Sequence, residues 1–147
     1  QYETQYVLNA SNTMKAWGEF AQYFKKLMQQ QVAGSSKNVI FTAHTLSVLN
    51  EQTMEMETKI PVKGALKNNG VEAYFSTVIS TKVVPLKKLE PYESDLLTIT
   101  DDDRDQGFKY VFQTRLTKDT TGEKIRAPIG MFDRNETYID NNVQNVI

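Results

Sequence analysis

The chain has 147 residues, of which 39% are hydrophobic and 24% are charged, and its formal net charge is −1. This composition is typical of a globular domain, and it removes the simplest argument for nucleic-acid binding, which is a strongly basic domain. Because there is no cysteine and only one histidine, a disulfide, a thiolate zinc site and a two-histidine metal site are excluded within the chain. No apolar run approaches the roughly 20 residues of a membrane span, so no membrane partner is expected.

Residues 11–31 are predicted to form the first helix, because apolar side chains recur at three- and four-residue spacing. Ser11 or Asn12 is suited to cap the start of this helix, and Gly34 is suited to end it. The apolar stripe, which is expected to pack in a core, consists of Met14, Trp17, Phe20, Ala21, Phe24, Leu27 and Met28.

Residues 38–44 are predicted to form a strand, because they contain consecutive apolar residues at 39–41. A strand that is buried on both faces has this pattern, and such strands belong to parallel sheets covered by helices. His44 ends the strand, at the edge where open α/β sheets bind their ligands. The residues alone leave open whether His44 contacts a ligand or only a neighbouring backbone group.

A basic stripe follows, beside a segment of weak periodicity. Residues 45–63 are predicted to be a long loop, residues 64–74 a short helix and residues 75–84 a strand. Lysines recur at every fourth position and are followed by an amide, at Lys59, Lys63, Lys67 and Asn68. Such a stripe can follow nucleic-acid phosphates, but a solvated charged face has the same pattern.

The last third of the chain is predicted to end in an antiparallel hairpin. Residues 108–116 alternate between apolar and polar side chains, and residues 124–131 return after a turn. The preceding acidic segment, residues 101–107, is predicted to be a polar loop; its spacing does not match a calcium loop, and no metal site is predicted. The hairpin carries four cations, which are Arg115, Lys118, Lys124 and Arg126.

The order of these elements predicts one α/β domain over residues 1–147. Three segments, taken in order, resemble RecA-like P-loop ATPases, most of all those of tailed bacteriophages that act as nucleotide-binding or single-strand annealing recombination proteins. The segments are 38–44, which ends in a polar residue, 61–76, in which a glycine opens a helix, and the pair 108–118 and 123–128. The resemblance extends from about Tyr2 to Asp140.

The resemblance implies a partial RecA-like P-loop sheet with covering helices and a C-terminal antiparallel hairpin. It implies that His44 senses the γ-phosphate of ATP, and that Arg126 and Lys118 reach a nucleotide on the neighbouring subunit of a homo-oligomer. It also implies that the segment with Lys59, Lys63, Lys67 and Asn68 contacts single-stranded DNA. The expected setting is recombination or replication by a phage-encoded protein in the bacterial cytoplasm.

The sequence departs from this family in one respect. It has no Gly-x-x-x-x-Gly-Lys-Ser/Thr loop and no apolar strand ending in Asp ahead of the first helix, so the Walker A and B regions are missing. We therefore expect ATP and Mg²⁺ to be bound, and ATP to be hydrolysed, only by a fuller protein, and this chain alone to be inactive. The alternative is a non-enzymatic phage binding or structural module with an α/β fold.

Overall fold

The computed structural model describes residues 9–64 and 66–147. The helices are α1 (Thr13–Lys26), α2 (Leu66–Asn69), α3 (Leu86–Leu89) and α4 (Asp101–Gln106). The strands are β1 (Leu46–Asn50), β2 (Glu55–Lys59), β3 (Ser80–Pro85), β4 (Phe108–Gln113) and β5 (Tyr138–Asp140). β1 and β2 form a two-stranded sheet, and β3, β4 and β5 form a three-stranded sheet with β4 in the centre.

The described residues fall into two compact units. The first unit contains the described residues up to Leu49 together with Thr58–Tyr74, and the second contains Asn50–Glu57 together with Phe75–Ile147. The architecture is mixed α/β with two small antiparallel sheets and few helices. Among the helices of the described ranges, none combines the length and the apolar character that a membrane crossing requires.

The predicted first helix is confirmed as α1, which continues into a π-helical turn over Leu27–Val32. Asn12 caps its start, because the Asn12 side chain accepts a hydrogen bond of 3.0 Å from the backbone N–H of Lys15. Most of the predicted stripe is buried or half-buried, whereas Met14 is exposed. The rings of Phe24 and Tyr74 meet edge to face with their centroids 5.5 Å apart.

The prediction of a buried strand over residues 38–44 is wrong for this structure. These residues belong to no strand, and all of them are exposed, including Val39 (42%), Ile40 (57%) and Phe41 (43%). A strand is buried on both faces only within a sheet that is covered on both sides, and no described strand of the chain includes this run. The consecutive apolar residues therefore lack the sheet that the pattern requires.

The predicted long loop over residues 45–63 is also wrong, because this segment contains β1 and β2. The hydroxyls of Ser47 and Thr58 lie 3.2 Å apart across the pair. At the connection, the Asn50 side-chain oxygen accepts from the backbone N–H of Gln52, and Met54 adopts a positive φ of 57°. An Asn at the start of a turn stabilises the turn by a local hydrogen bond of this kind. The weak hydrophobic periodicity of residues 45–63 did not indicate the two strands on either side of this turn.

The short helix predicted over residues 64–74 is confirmed as two turns that are separated by a glycine. α2 and a 3-10 turn over Val71–Tyr74 flank Gly70, whose φ is 72°. The Glu72 carboxylate, which is almost fully buried, accepts a hydrogen bond of 2.8 Å from the backbone N–H of Ile60. This bond ties the 3-10 turn to the end of β2.

The second unit is built on the sheet β3–β4–β5. Its register pairs Val84 with Lys109 and Phe112 with both Thr81 and Ile139, all in antiparallel strands. One face of the sheet covers the main core cluster, with α3 and the segment before α4 packed against it. The buried members of the cluster are Val84, Leu89, Leu97, Val111 and Tyr138.

The prediction that residues 108–116 pair with residues 124–131 in a hairpin is also wrong. The first strand is confirmed as β4, but its two edges are occupied by β3 and β5. Residues 124–131 contribute only an isolated bridge, in which Arg126 pairs with Val78. Because a strand has only two edges, β4 has no edge left for the predicted partner.

The predicted polar loop over residues 101–107 is wrong as well, because six of its residues form α4. Thr100 and Asp103 make a reciprocal capping box, and Gly107 ends the helix with a φ of 78°. Lys109 then joins α4 to the sheet, with its Nζ 2.9 Å from the Asp103 carboxylate and 3.3 Å from that of Asp140.

Candidate functional site

The second unit has an open cleft of about 410 Å³ beside the end of β4. We call it the arginine cleft, because two arginines line it and none of its lining residues in the described ranges is Asp or Glu. The lining residues are Thr114, Arg115, Leu116, Ile125, Arg126, Ala127, Pro128, Ile129, Gly130 and Phe132. The lining that the structure describes therefore combines two arginines with mostly apolar residues.

Arg115 reaches the cleft from the chain that leaves β4. Thr114, which precedes it, is fully buried, and its hydroxyl donates to the carbonyl of Glu136 at 2.6 Å. The Arg115 backbone carbonyl accepts from the Gln113 side chain at 2.7 Å, and its Nη1 donates to the carbonyl of Phe132 at 3.0 Å. These bonds fix both the backbone and the guanidinium of Arg115.

Arg126 reaches the same cleft from the opposite segment. Its backbone N–H and carbonyl both bond to Val78, at 3.0 and 2.8 Å. Its guanidinium donates through Nε and Nη2 to the carbonyl of Phe75, at 3.2 and 2.8 Å. A guanidinium stays charged whatever neutral groups it bonds to, so Arg126 contributes a positioned positive charge.

The apolar wall of the cleft is a turn over residues 128–131. The backbone N–H of Met131 donates to the carbonyl of Pro128 at 3.1 Å, and Gly130 has a φ of 84°. A type II turn requires this positive φ at its third residue. The turn leaves the Ile129 side chain fully exposed, while Phe132, which also lines the cleft, is buried.

The structure places the predicted cations differently. Arg126 lines the cleft, but Lys118 does not; it is exposed on the turn of residues 117–120, where the backbone N–H of Thr120 donates to the carbonyl of Thr117. Sequence reasoning placed Arg115 on the hairpin but did not select it as a site residue. The alternation of β4 gave no signal for it, because Arg115 lies beyond the last paired residue of that strand.

His44 does not end a central strand, because it is an exposed residue of the extended segment that precedes β1. The structural premise for its predicted position is therefore wrong. Its predicted role as a sensor of the γ-phosphate stays a prediction.

The predicted basic stripe does not form one helical face. Lys59 ends β2, Lys63 lies between β2 and α2, and Lys67 lies on α2, where it is exposed. The Lys63 ammonium lies 6.0 Å from the centroid of the Trp17 ring, within reach of a cation–π interaction. The side chain of Asn68 lies outside the described residues, and DNA contact by this segment stays a prediction.

An ion-pair cluster of Asp103, Lys109 and Asp140 joins α4 to the three-stranded sheet. Hydrogen bonding from the Thr100 backbone, assisted by Lys109 and opposed by burial, holds the pKa of Asp103 below its usual value. Burial lowers the pKa of Lys109, but its hydrogen bond to Asp103 and the charge of Asp140 outweigh burial and raise that pKa overall. These charges are satisfied by one another, so they indicate a structural role.

In the described ranges, no three His, Asp or Glu side chains are grouped so that they could hold a metal ion. The arginine cleft carries two guanidinium groups, each held by a backbone carbonyl.

Comparison of the chain with protein-family models, with curated proteins and with solved structures gives no match.

Proposed function

We propose that this chain is part of a RecA-like ATP-binding protein of bacteriophage that acts as a homo-oligomer on single-stranded DNA in recombination or replication. Its contribution would be to present cations to a nucleotide held by a neighbouring subunit. The observation that carries the proposal is the convergence of Arg115 and Arg126 on one cleft, in which none of the described lining residues is a carboxylate.

The charge arrangement supports this role physically. Phosphoryl transfer spreads negative charge over the oxygens of the transferred group, and catalysis consists mostly of positioning and of electrostatic stabilisation. A cation supplied from a neighbouring subunit acts best when it is held in place beforehand. The bonds of Arg126 to Phe75 and of Arg115 to Phe132 provide such positioning.

The decisive experiment measures ATP turnover in a protein that carries this chain together with a phosphate-binding loop. We expect Arg126→Gln to lower turnover by about 10³-fold and to leave nucleotide binding nearly unchanged, as for other cations that act in trans. Arg134→Gln is the matched control, because Arg134 is an exposed arginine of the same unit that does not line the cleft. Equal turnover in the two variants would exclude the trans role of Arg126.

The DNA part of the proposal concerns the first unit. Changing Lys63 and Lys67 together to Ala is expected to weaken single-strand binding and to reduce the salt slope by about 1.4, since each phosphate contact contributes about 0.7. Changing Lys25 and Lys26, two exposed lysines at the end of α1, provides a charge-matched control. If both double variants bind DNA like the unchanged protein, the 59–68 segment is not the DNA contact.

The second candidate function is a non-enzymatic phage binding or structural module. The sheet topology favours it, because both sheets of the described residues are antiparallel. The expected fold instead binds its nucleotide at the carboxyl ends of the strands of a parallel sheet. Under this alternative, Arg126→Gln would change stability or partner binding but no nucleotide-dependent activity. The turnover experiment therefore separates the two functions.

A further inference from the structure

We infer that the outer face of the three-stranded sheet is a contact surface for a second copy of this chain. The outer face consists of the side chains that the register places opposite to the main core cluster, which are those of Thr81, Val83, Pro85, Phe108, Tyr110, Phe112 and Ile139. The inference deepens the proposed function, on which it rests for the expectation of a homo-oligomer. It requires neither the arginine cleft nor a nucleotide.

The central strand of the sheet turns its aromatic side chains outward. Side chains alternate between the two faces of a strand, and an antiparallel sheet with one solvated face commonly has polar residues on that face. In β4, three aromatic residues lie on the outer face, whereas Lys109, Val111 and Gln113 lie on the side of the core. The outer face therefore has the apolar composition of a sheet face that is covered.

The open part of the outer face is centred on Val83 and Tyr110. These two residues are direct partners in the register of β3 with β4, and they are 54% and 57% exposed. The ring of Phe108 meets that of Tyr110 edge to face, with the centroids 5.9 Å apart, and supports it from one side. Ile139 is fully buried, so the chain itself covers the β5 side of the face. The β3 side, on which all three outward residues are exposed, is left for a partner.

The charge of the outer face selects the kind of partner. All seven of its residues are uncharged. In a two-fold contact the same surface meets itself, so a charged face would bring like charges together, whereas a neutral face does not. A nucleic-acid strand needs cations beside the aromatic rings, but the helix that leads into β4 has exposed carboxylates at Asp101, Asp102 and Asp105. The outer face therefore fits a second copy better than a polyanion.

The size of the open part determines the strength of the contact. Two sheets stack about 10 Å apart, which places the Tyr110 rings of both copies between them. Tyr110 exposes about 100 Å², since it is 57% exposed and an aromatic side chain can bury roughly 150–250 Å². A standard interface buries about 800 Å² on each partner, which is more than this face offers. We therefore expect a weak dimer, with a dissociation constant on the order of 10⁻⁴ M.

Sedimentation velocity of the chain, from about 10 µM to about 1 mM, covers the expected dissociation constant. The weight-average sedimentation coefficient should rise with concentration. Tyr110→Lys should raise the dissociation constant at least about tenfold, because it brings like charges together at the contact. Tyr23→Lys is the matched control, since Tyr23 lies on α1 and is 59% exposed. This variant should associate like the unchanged chain.

A pair of oppositely charged variants shows whether the outer face meets itself. Val83→Lys and Val83→Glu should each remain monomeric over the same range, whereas an equimolar mixture should associate, because opposite charges then meet. NMR keeps the test decisive if a variant does not fold, because it uses the unchanged chain. With rising concentration, the amide shifts of Thr81, Val83 and Tyr110 should change, and that of Arg134 should not.

Three results would overturn the inference: a monomer at the highest concentration, association that Tyr110→Lys leaves unchanged, or shift changes confined to another surface. Binding of hexathymidylate or of phosphatidylcholine vesicles at the outer face, in preference to self-association, would also overturn it. None of these results decides the trans role of Arg126, which depends on ATP turnover in the Arg126→Gln variant. Conversely, retained association with normal turnover in that variant would keep the contact surface and exclude the trans role.

Discussion

Val83 and Val84 are neighbours on β3 that face opposite sides of the sheet, and they provide an internal measure of core packing. Val84 is 5% exposed within the core cluster, whereas Val83 is 54% exposed. Changing valine to alanine removes two methyl groups. At about 0.8 kcal/mol per buried carbon, plus a cavity contribution, Val84→Ala is expected to lower the free energy of unfolding by about 2 kcal/mol.

The expected loss for Val83→Ala is much smaller, about 0.5 kcal/mol, because only strand preference and a contact on the exposed face change. Urea unfolding, followed by far-ultraviolet circular dichroism, measures both losses. The two variants are directly comparable, because each changes one valine to alanine in the same chain. Equal losses in the two variants, or a larger loss at Val83, would mean that β3 does not present its even-numbered face to the core. The register of β3 against β4 would then be wrong.

Two further predictions concern α4 and the glycines. Because the pKa of Asp103 is lowered on folding, its stabilising contribution is present above its unfolded pKa and is lost as the pH falls through the folded value. We expect Asp103→Asn to cost about 1–2 kcal/mol at pH 7, and the difference from the unchanged chain in urea unfolding to shrink below pH 4. Gly107→Ala should lower stability by about 1 kcal/mol because its φ is 78°, and Gly18→Ala, in the middle of α1, should raise it by about the same amount. A gain in stability for Gly107→Ala, or a loss for Gly18→Ala, in thermal unfolding would contradict the assigned backbone conformations.

Local signals predicted the elements that are stabilised mainly by their own residues. The apolar spacing and capping residue of α1 and the alternation of β4 lie within single segments, and both elements were confirmed. The prediction of a loop at 101–107 was wrong, because it followed from the acidic composition of the segment and did not include the Thr100–Asp103 capping pair and Gly107. Those three residues were visible in the sequence and are sufficient to start and end a helix.

Pairing of strands and assembly of the cleft depend on contacts between distant residues. β4 pairs with β5, which the sequence analysis did not identify, and Arg126 is positioned by Phe75, 51 residues away. No local pattern specifies such a partner, so the sequence indicated Arg126 as a site residue but indicated the wrong strand pair for it. Arg115 lies at the cleft because the folded chain brings it to Phe132, whose carbonyl accepts from its Nη1.

The apolar run at residues 39–41 was predicted to be a buried strand but is exposed, and the proposed function suggests a reason for this difference. Its side chains have the pattern of a fully buried strand, yet they are exposed and belong to no strand in the described structure. A phosphate-binding core of the expected fold would supply neighbouring strands on both sides of this run. We therefore predict that the same residues change from exposed to paired when that core is present.

Amide hydrogen exchange tests this change directly. In the chain alone, the amides of Val39, Ile40, Thr42 and Ala43 should exchange rapidly, because these residues are exposed and belong to no helix or strand. In a protein that also carries the phosphate-binding loop they should be strongly protected, while the amides of Val111 and Phe112 at the centre of β4 should be protected in both. Slow exchange in the chain alone would contradict the exposed conformation. Rapid exchange in the fuller protein would show that the run is not a central strand, and His44 would then lose its predicted place beside the nucleotide.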